Sequence, residues 1–377
     1  MEDSFENMDP LQIGEDYRNK ELAQKAVKRI RELAEEKHTY RFMHICGTHE
    51  YTITHSGLRD VLPSNVEVVA GPGCPVCVTP PEDIALAITI AKQPKVLITT
   101  FGDMMRVPAT GWGSLNTARA RGAKVQVVYS MMDAIEAARK NPDLEVVHFA
   151  IGFETTTPPT AVELLAGPPE NFSVIVSHRV IPPAQELLLE SGEVALNGFI
   201  LPGHVCTVTG TRPYMPISEK WKVPQVVAGF EPLDVLLGLV MLLTQIAEGR
   251  AEVENEYTRA VSLEGNVRAQ EMVAQVFETI DARWRAIGSI PKSGLALRPE
   301  FASFDVREHV SVDVEPPKFE VPPGCRCGEV LRGVIGPEEC PLFGKKCTPQ
   351  QPIGPCMVGL EGTCAIVYGA LAIKPKT

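Results

Sequence analysis

Between about residue 41 and residue 235, short β-branched runs alternate with helical patterns, and this alternation limits the fold more than any other feature of the chain. Most of the runs are apolar along their whole length, which is typical of strands buried on both faces. Strands are predicted at Phe42–Ile45, Val66–Ala70, Val96–Thr99, Val125–Tyr129, Val146–Ala150, Val174–Ser177, Phe199–Leu201 and Val226–Ala228. Helices are predicted at 81–92, 131–140, 158–165 and 183–190. The pattern predicts an α/β fold with parallel sheets covered by helices.

Segments outside this region have a different character. An amphipathic helical pattern occupies residues 20–37, a helical stretch runs from about 233 to 286, and the Pro-rich passage Val314–Gly324 is interpreted as a linker. Thr79-Pro80-Pro81 and Thr157-Pro158-Pro159 each open a predicted helix after a strand, which suggests two tandem α/β domains of related topology. Coincidence is the alternative, because proline is common at helix starts.

We therefore expect four parts. Residues 1–40 form an N-terminal helix that packs on the third domain, 41–142 the first α/β domain and 143–232 the second. Residues 233–377 form a helical and cysteine-rich domain.

Composition excludes several classes of function. The formal net charge is −11 and no block of basic residues occurs, which argues against nucleic acid or an anionic membrane as a partner. The longest apolar run, Val235 to Ala247, is shorter than a membrane span and predicts a buried core helix. The acidic N-terminus does not resemble a secretory signal, so we expect a reducing, cytoplasmic location for the ten cysteines.

Six of these cysteines crowd the C-terminal segment with the spacing C-x-C-x12-C-x6-C-x8-C-x7-C. A segment so rich in Cys, Gly and Pro cannot build much apolar core, and a bound metal would supply the missing folding free energy. Zinc ribbons usually carry two C-x-x-C knuckles, which this segment lacks. We therefore expect four thiolates to bind an iron–sulfur cluster and two cysteines to remain over, with zinc or disulfides as the alternatives.

Polar motifs follow several predicted strands at their carboxyl ends, where open parallel sheets bind ligands. The candidate site residues are Cys46, His49, Cys74, Cys77, Asp103 and Glu154. We expect their side chains to face one cleft. The alternatives are a buried structural cysteine at Cys46 and turn or cap roles for Asp103 and Glu154.

The C-x-x-C pair, Cys74 and Cys77, suits a dithiol–disulfide cycle or two metal ligands. Thr79, Pro80 and Glu82 predict a capping box and a helix start directly after this pair. At Cys46, the neighbours Gly47 and His49 indicate an exposed and activated thiol.

Several of these motifs, in order, resemble the HypD family of hydrogenase maturation proteins. The resemblance covers nearly the whole chain. Its carriers are Met43-His44-Ile45-Cys46-Gly47-Thr48-His49-Glu50, Gly71-Pro72-Gly73-Cys74-Pro75-Val76-Cys77, Thr100-Phe101-Gly102-Asp103-Met104-Met105-Arg106-Val107-Pro108, Gly152-Phe153-Glu154-Thr155-Thr156, Pro202-Gly203-His204-Val205, and the run from Cys340-Pro341-Leu342-Phe343-Gly344 to Glu361-Gly362-Thr363-Cys364.

The resemblance implies a scaffold on which the Fe(CN)2CO unit of [NiFe]-hydrogenases is built, with a small HypC-like chaperone and a HypE-like cyanide donor as partners. It implies that Cys46 holds the iron and that Cys74 and Cys77 handle electrons near it. His49, Asp103 and Glu154 fall in the family's motifs around that cleft.

For the C-terminal segment, the resemblance implies a [4Fe–4S] cluster. The family spacing C-x14-C-x6-C-x16-C falls on Cys325, Cys340, Cys347 and Cys364. Cys327 and Cys356 are then a spare redox pair, similar to the cluster-adjacent disulfide of ferredoxin:thioredoxin reductases. Whether Cys325 or Cys327 is the ligand stays open. An iron–sulfur-dependent protein disulfide reductase is the alternative function, and a structural zinc protein is a third.

Overall fold

The computed structural model describes residues 18–310, 314 and 319–373. Its strands are β1 (Tyr40–His44), β2 (Val66–Ala70), β3 (Val96–Thr100), β4 (Lys124–Val127), β5 (Glu145–Gly152), β6 (Phe172–His178), β7 (Gly198–Pro202), β8 (Gln225–Ala228), β9 (Val253–Asn255), β10 (Phe277–Trp284) and β11 (Gly288–Leu297). Its α-helices are α1 (Lys20–Leu33), α2 (Gly47–His55), α3 (Leu58–Val61), α4 (Pro75–Val78), α5 (Pro81–Ala91), α6 (Leu115–Ala120), α7 (Met131–Lys140), α8 (Thr157–Leu165), α9 (Ile181–Ser191), α10 (Gly203–Thr209), α11 (Met215–Trp221), α12 (Pro232–Ala247), α13 (Val267–Val276), α14 (Cys327–Leu331) and α15 (Thr363–Ile373). Short 3-10 turns lie at Gly102–Arg106, Arg212–Tyr214, Pro299–Phe304, Val306–Glu308, Pro337–Glu339 and Pro355–Met357.

Two parallel sheets organise these elements. One has five strands in the order β2-β1-β7-β8-β9, and the other has four in the order β4-β3-β5-β6. Strands β3 and β6 are buried at every residue, because helices cover both faces of the sheet. The predicted α/β class with parallel sheets is confirmed.

The first compact unit joins residues up to Gly71 to Val194–Gly265 and contains the five-stranded sheet. Helix α12 runs through its core, where Val235, Leu239 and Leu242 are fully buried. The amphipathic helix α1 packs against α12 and buries Ile30 in the same cluster. The apolar run therefore forms the predicted core helix. In the described part of the chain, no helix is long and apolar enough to cross a membrane.

The second compact unit joins Pro72–Glu193 to the residues from Asn266 onward. It contains the four-stranded sheet, an antiparallel hairpin of β10 and β11, and the cysteine-rich segment. Its core includes Ile135 of α7 and Leu164 of α8. Helix α13 packs against α8, and strand β11 packs against α9 and β6, so the hairpin is fixed to the body of this unit.

The two sheets interleave along the sequence. Strand β1 pairs with β2 on one side and with β7 on the other, and β7 follows all four strands of the second sheet in the chain. The expected boundary between residues 142 and 143 falls between α7 and β5, inside the second unit. The local repeat predicts two α/β domains that follow one another along the chain. Strand pairing instead joins residues that are distant in sequence, so each unit is built from two separate stretches.

The helical stretch predicted from 233 to 286 is wrong in its middle and at its end. Between α12 and α13 the chain forms β9, and after α13 it forms β10, whose exposed Glu278, Asp281 and Arg283 give it the polar character of a helix surface. Cross-strand pairing with β11 decides its conformation instead. The predicted linker Val314–Gly324 lies partly outside the described residues.

Candidate functional site

Cys46 lies at the carboxyl end of β1, the strand between β2 and β7 in the first unit. It is half-buried and directly precedes α2. At the end of β2, the Gly71 amide donates to the His44 carbonyl at 2.8 Å, and a Cβ at Gly71 would lie 2.7 Å from the Met43 sulfur. Close packing of the neighbouring loop therefore fixes the strand end that carries the Cys46 thiol.

A buried polar network supports this strand end. The His44 ring contacts the Cys46 carbonyl oxygen through Nδ1 at 3.1 Å and a Glu50 carboxylate oxygen through Nε2 at 2.8 Å. Arg59 donates to both Glu50 oxygens at 2.8 Å. Burial alone would raise the pKa of Glu50, but the hydrogen bond with His44 and the charge of Arg59 hold that pKa well below its usual range. Glu50 is thus a fixed buried anion that orients His44 beneath the thiol loop.

His49, a predicted site residue, lies on α2 and is fully buried. Its Nε2 faces the carbonyl oxygens of Ala228 and Gly229 at 3.2 and 2.8 Å, and its ring stacks on Phe230 at 4.7 Å. Burial and the charge of nearby His44 lower the pKa of His49 to about 3. Its Nδ1 has no hydrogen-bond partner among the residues described. The neutral ring therefore ties α2 to the end of β8.

The C-x-x-C pair of the second unit forms a disulfide between Cys74 and Cys77, whose Cα atoms are 5.3 Å apart. Both residues are buried, and the Cys77 amide donates to the Cys74 sulfur at 3.2 Å.

The expected capping box does not form. Thr79 instead ends α4, and its hydroxyl donates to the Pro75 carbonyl at 2.9 Å, because the C-x-x-C motif begins a helical turn of its own.

Helix α4 connects the thiol pair to the rest of the second unit. It packs against β5 and against the 3-10 turn Pro355–Met357, which carries Cys356. The structure therefore brings the predicted dithiol motif beside the predicted spare cysteine.

The loop after β3 holds the cysteine-rich segment. Arg106 donates to the carbonyl oxygens of Pro349 at 2.9 Å and Val358 at 2.6 Å. Partial burial raises the pKa of Asp103, against a hydrogen bond from the Leu360 amide and the charge of Arg106. Burial and the Asp103 carboxylate raise the pKa of Glu361. Asp103 and Arg106 of this loop thus both contact the segment between Cys347 and Cys364.

Glu154 follows β5 and is buried. One carboxyl oxygen accepts a hydrogen bond from the Ile181 amide at 2.9 Å, and the other has no partner within the described part of the chain. Burial raises the pKa of Glu154 to about 7. Glu154 can therefore gain or lose a proton near neutral pH, which suits proton transfer as well as it suits an anchor for the start of α9.

All six C-terminal cysteines line one cavity together with Leu342, Phe343, Gly354 and Met357. The Cys327 sulfur hydrogen-bonds with those of Cys325 and Cys356, and Cys356 also bonds with Cys364. Hydrogen bonds from Cys325 and Cys356 lower the pKa of Cys327, and the same bonds raise the pKa values of its two partners. The crowding seen in the sequence is therefore a single thiol-lined site.

The donor chemistry of this site fits an iron–sulfur cluster. Thiolates are the usual ligands of such clusters, and amide hydrogen bonds to sulfur tune them. Here the Ile353 amide donates to the Cys347 sulfur at 3.3 Å. Within the ranges described, no three His, Cys, Asp or Glu side chains are arranged to hold a single metal ion.

Several residues around these sites have no role predicted from the sequence. Glu50 and Arg106 stand in motifs that assign them none, and Arg59 lies outside every motif. Arg285 stands in the turn of an unpredicted hairpin. Glu50 and Arg106 are detectable as charged residues in strand-end motifs, whereas no sequence signal marks Arg59 or Arg285.

Comparisons with known proteins agree with the motifs. The family model HypD, described as hydrogenase formation hypA family, matches residues 21–370. The chain is 47% identical over 365 residues to hydrogenase maturation factor HypD2 of Bradyrhizobium diazoefficiens, covering 94% of this chain and 96% of the relative. It is 48% identical to a putative hydrogenase expression/formation protein of Methanocaldococcus jannaschii, covering 92% and 96%. It is 43% identical to hydrogenase maturation factor HypD of Escherichia coli, covering 95% and 98%. The chain therefore belongs to the HypD family of hydrogenase maturation factors.

Proposed function

We propose that this protein is a scaffold that, with a small HypC-like chaperone, holds an iron ion while cyanide from a HypE-like donor and CO are added. The observation that carries this proposal is the placement of Cys46. Its thiol is half-buried at the carboxyl end of a central strand, on a loop fixed by the His44–Glu50–Arg59 network. Soft thiolate donors suit an iron substrate that bears CO and cyanide.

The surroundings of Cys46 support a rigid holding site. His49 fixes the start of α2 to the end of β8, and Phe230 stacks between the rings of His49 and His204 at 4.7 and 3.8 Å. A rigid support keeps a metal ligand in place through successive additions of small ligands. The second thiolate would come from the chaperone.

Electron supply is assigned to the second unit. In this proposal Cys325, Cys340, Cys347 and Cys364 hold a [4Fe–4S] cluster, which supplies single electrons when bound. Cys327 and Cys356 remain as a redox pair, and the hydrogen bond between their sulfurs supports this role. Cys327 is the alternative ligand to Cys325, since both line the cavity.

The proposal includes thiol–disulfide exchange between the two thiol pairs of the second unit. Helix α4, with the Cys74–Cys77 disulfide, packs against the turn that carries Cys356. Thiolate attack by one member of the Cys327/Cys356 pair would open that disulfide. As Cys74 and Cys77 gain two electrons and two protons, Cys327 and Cys356 lose the same number and form a disulfide. In this proposal Glu154, whose pKa burial raises to about 7, carries protons in this unit, and Asp103 supports the cysteine segment. Such thiol chemistry suits a reducing, cytoplasmic setting.

The test is anaerobic copurification of the full chain with HypC-like and HypE-like partners, followed by infrared spectroscopy. We expect bands of iron-bound CO and cyanide from the native complex and their loss in Cys46→Ala. Cys206→Ala is the matched control, because Cys206 lies in the same unit and belongs to no motif; its complex should keep the bands. Bands of native intensity in Cys46→Ala would refute the scaffold.

An iron–sulfur-dependent protein disulfide reductase is the second candidate, and the packing of the Cys74–Cys77 helix beside Cys356 favours it. A reductase needs the cluster and the thiol pairs but not Cys46. Undiminished dithiol turnover by Cys46→Ala, with no infrared bands in the native complex, would favour that function. Zinc without iron or sulfide in the purified protein would exclude both.

A further inference from the structure

Arg285 is a buried cation whose charge no described carboxylate neutralises directly. It lies in the turn between β10 and β11, and its exposed fraction is 0%. Its Nε donates to the Glu320 carbonyl oxygen at 2.8 Å. Its two terminal nitrogens have no hydrogen-bond partner among the residues that the structure covers. An arginine keeps its charge in proteins, and burial of a cation with unmatched donors is costly.

The position of the Arg285 side chain is fixed from several sides. Its backbone amide donates to the Val78 carbonyl at 2.8 Å, directly after the C-x-x-C motif. The Ala286 amide donates to the Glu320 carboxylate at 2.9 Å, and Arg332 donates to the Ala286 carbonyl at 3.0 Å. The Glu320 carboxylate is also paired with Arg283. These contacts involve the backbone of the turn, the Arg285 Nε and neighbouring side chains. None of them provides a hydrogen-bond acceptor for the two terminal nitrogens of Arg285.

The groups that the guanidinium does face are thiols. Its electrostatic neighbours are, in order of strength, Cys327, Cys356, Cys325 and Glu320, and the three cysteines line the C-terminal cavity. A single thiolate among these cysteines would balance the charge, but the hydrogen-bond donors of both terminal nitrogens are still unmatched among the described residues. A cluster held by four thiolates has a net negative charge and sulfur atoms that accept hydrogen bonds. A bound cluster would therefore supply both negative charge and hydrogen-bond acceptors for the two terminal nitrogens.

We infer that Arg285 is the buried counter-cation of the cysteine site, with its two terminal nitrogens directed at the sulfurs of a bound iron–sulfur cluster and its thiolates. Arg285 is a positioning residue, since it ligates nothing itself. It stabilises the cluster in place, and it stabilises the reduced cluster more than the oxidised one, because reduction adds an electron and no positive charge. This inference rests on the iron–sulfur site of the proposed function.

The experiment compares full-length protein, purified anaerobically with its cluster reconstituted, as wild type, Arg285→Met and Arg285→Lys. The midpoint potential is measured by dithionite titration followed by electron paramagnetic resonance, and cluster loss by its rate of iron release to a chelator. We expect a more negative potential in Arg285→Met and iron release about tenfold faster, as for other outer-sphere partners of metal sites. Arg285→Lys keeps the charge and should stay closer to wild type on both measures.

Arg283→Met is the matched control, because Arg283 lies in the same hairpin, loses the same charge and has a side chain that is 51% exposed. It should leave the potential unchanged. If Arg285→Met binds no cluster at all, Arg285→Gln is compared with Arg285→Lys instead. A cluster bound by Arg285→Lys but not by Arg285→Gln would support the role of Arg285 as a counter-cation.

Equal potentials and release rates in wild type and Arg285→Met, both with full clusters, would overturn the inference and leave the proposed function intact. Equal losses in the Lys and Met variants would also overturn it, since charge would then be irrelevant. Absence of iron and sulfide from reconstituted wild type would instead remove the iron–sulfur site of the proposed function, and this inference with it.

Discussion

At the residue scale, Glu154 shows how burial raises the pKa of a carboxyl group to near neutral pH. One carboxyl oxygen accepts a hydrogen bond from the Ile181 amide, and the other has no partner among the described residues. Water would stabilise the anion better than this pocket does, so the pKa rises to about 7 from 4.5. The folded protein therefore retains a proton that the unfolded chain has already lost.

The contribution of Glu154 to stability should consequently fall as pH rises from about 4.5 to about 7, through the pKa of folded Glu154. The full effect corresponds to roughly 3 kcal/mol, at 1.36 kcal/mol per pKa unit. Glu154→Gln removes this titration, so the melting temperature of the variant relative to that of wild type should rise across this pH range. Melting curves measured by circular dichroism at several pH values check this.

Glu163→Gln is the control, because Glu163 lies on the adjacent helix α8 and is partly exposed. It should follow the wild-type pH dependence. Parallel curves for wild type and Glu154→Gln would show that the buried carboxyl does not titrate in this range.

At the element scale, most strands and helices were predicted within a few residues, because apolar runs and helix periodicity are local properties. The β10–β11 hairpin was missed, since its charged and exposed residues are typical of a helix surface until the partner strand is known. The candidate site shows the same limit. The positions of Cys46, Cys74 and Cys77 were readable as motifs, whereas Arg285 acquires its place only when the hairpin folds onto the cysteine segment.

The turn Gly102–Arg106 is an element whose role was also invisible in the sequence. Arg106→Ala removes hydrogen bonds to the Pro349 and Val358 carbonyls, and should destabilise the segment between Cys347 and Cys364 by about 1–3 kcal/mol. We expect faster proteolysis within that segment and faster iron release from reconstituted protein. Limited proteolysis with mass spectrometry locates the cuts.

Arg119→Ala, at an exposed position of α6, is the control and should leave the cleavage pattern unchanged. Identical cleavage in wild type and Arg106→Ala would contradict the role of Arg106 as a support of the cysteine segment.

At the scale of the whole molecule, the path of the chain decides which pieces can fold. Strand β1 needs β7, and β3 needs β5, yet the excised fragment 41–142 contains neither partner. We expect this fragment to be largely unfolded, because each half-sheet would expose an apolar edge and faces. Its proton NMR spectrum should be poorly dispersed and its thermal transition absent. A cooperative melt and a dispersed spectrum would contradict the interleaved pairing.

The interleaved order of the strands also determines how long β1 and β2 lack their partner strand during synthesis. When β2 leaves the ribosome, the β7 strand that pairs with β1 is still roughly 130 residues away, or on the order of 10 s at ordinary translation rates. The four-stranded sheet is translated entirely within that interval. The nascent β1–β2 pair, with its unpaired edge next to Cys46, must therefore wait in a form that neither aggregates nor oxidises. Holding chaperones and a thiol-reducing environment would matter most for this protein during its own translation.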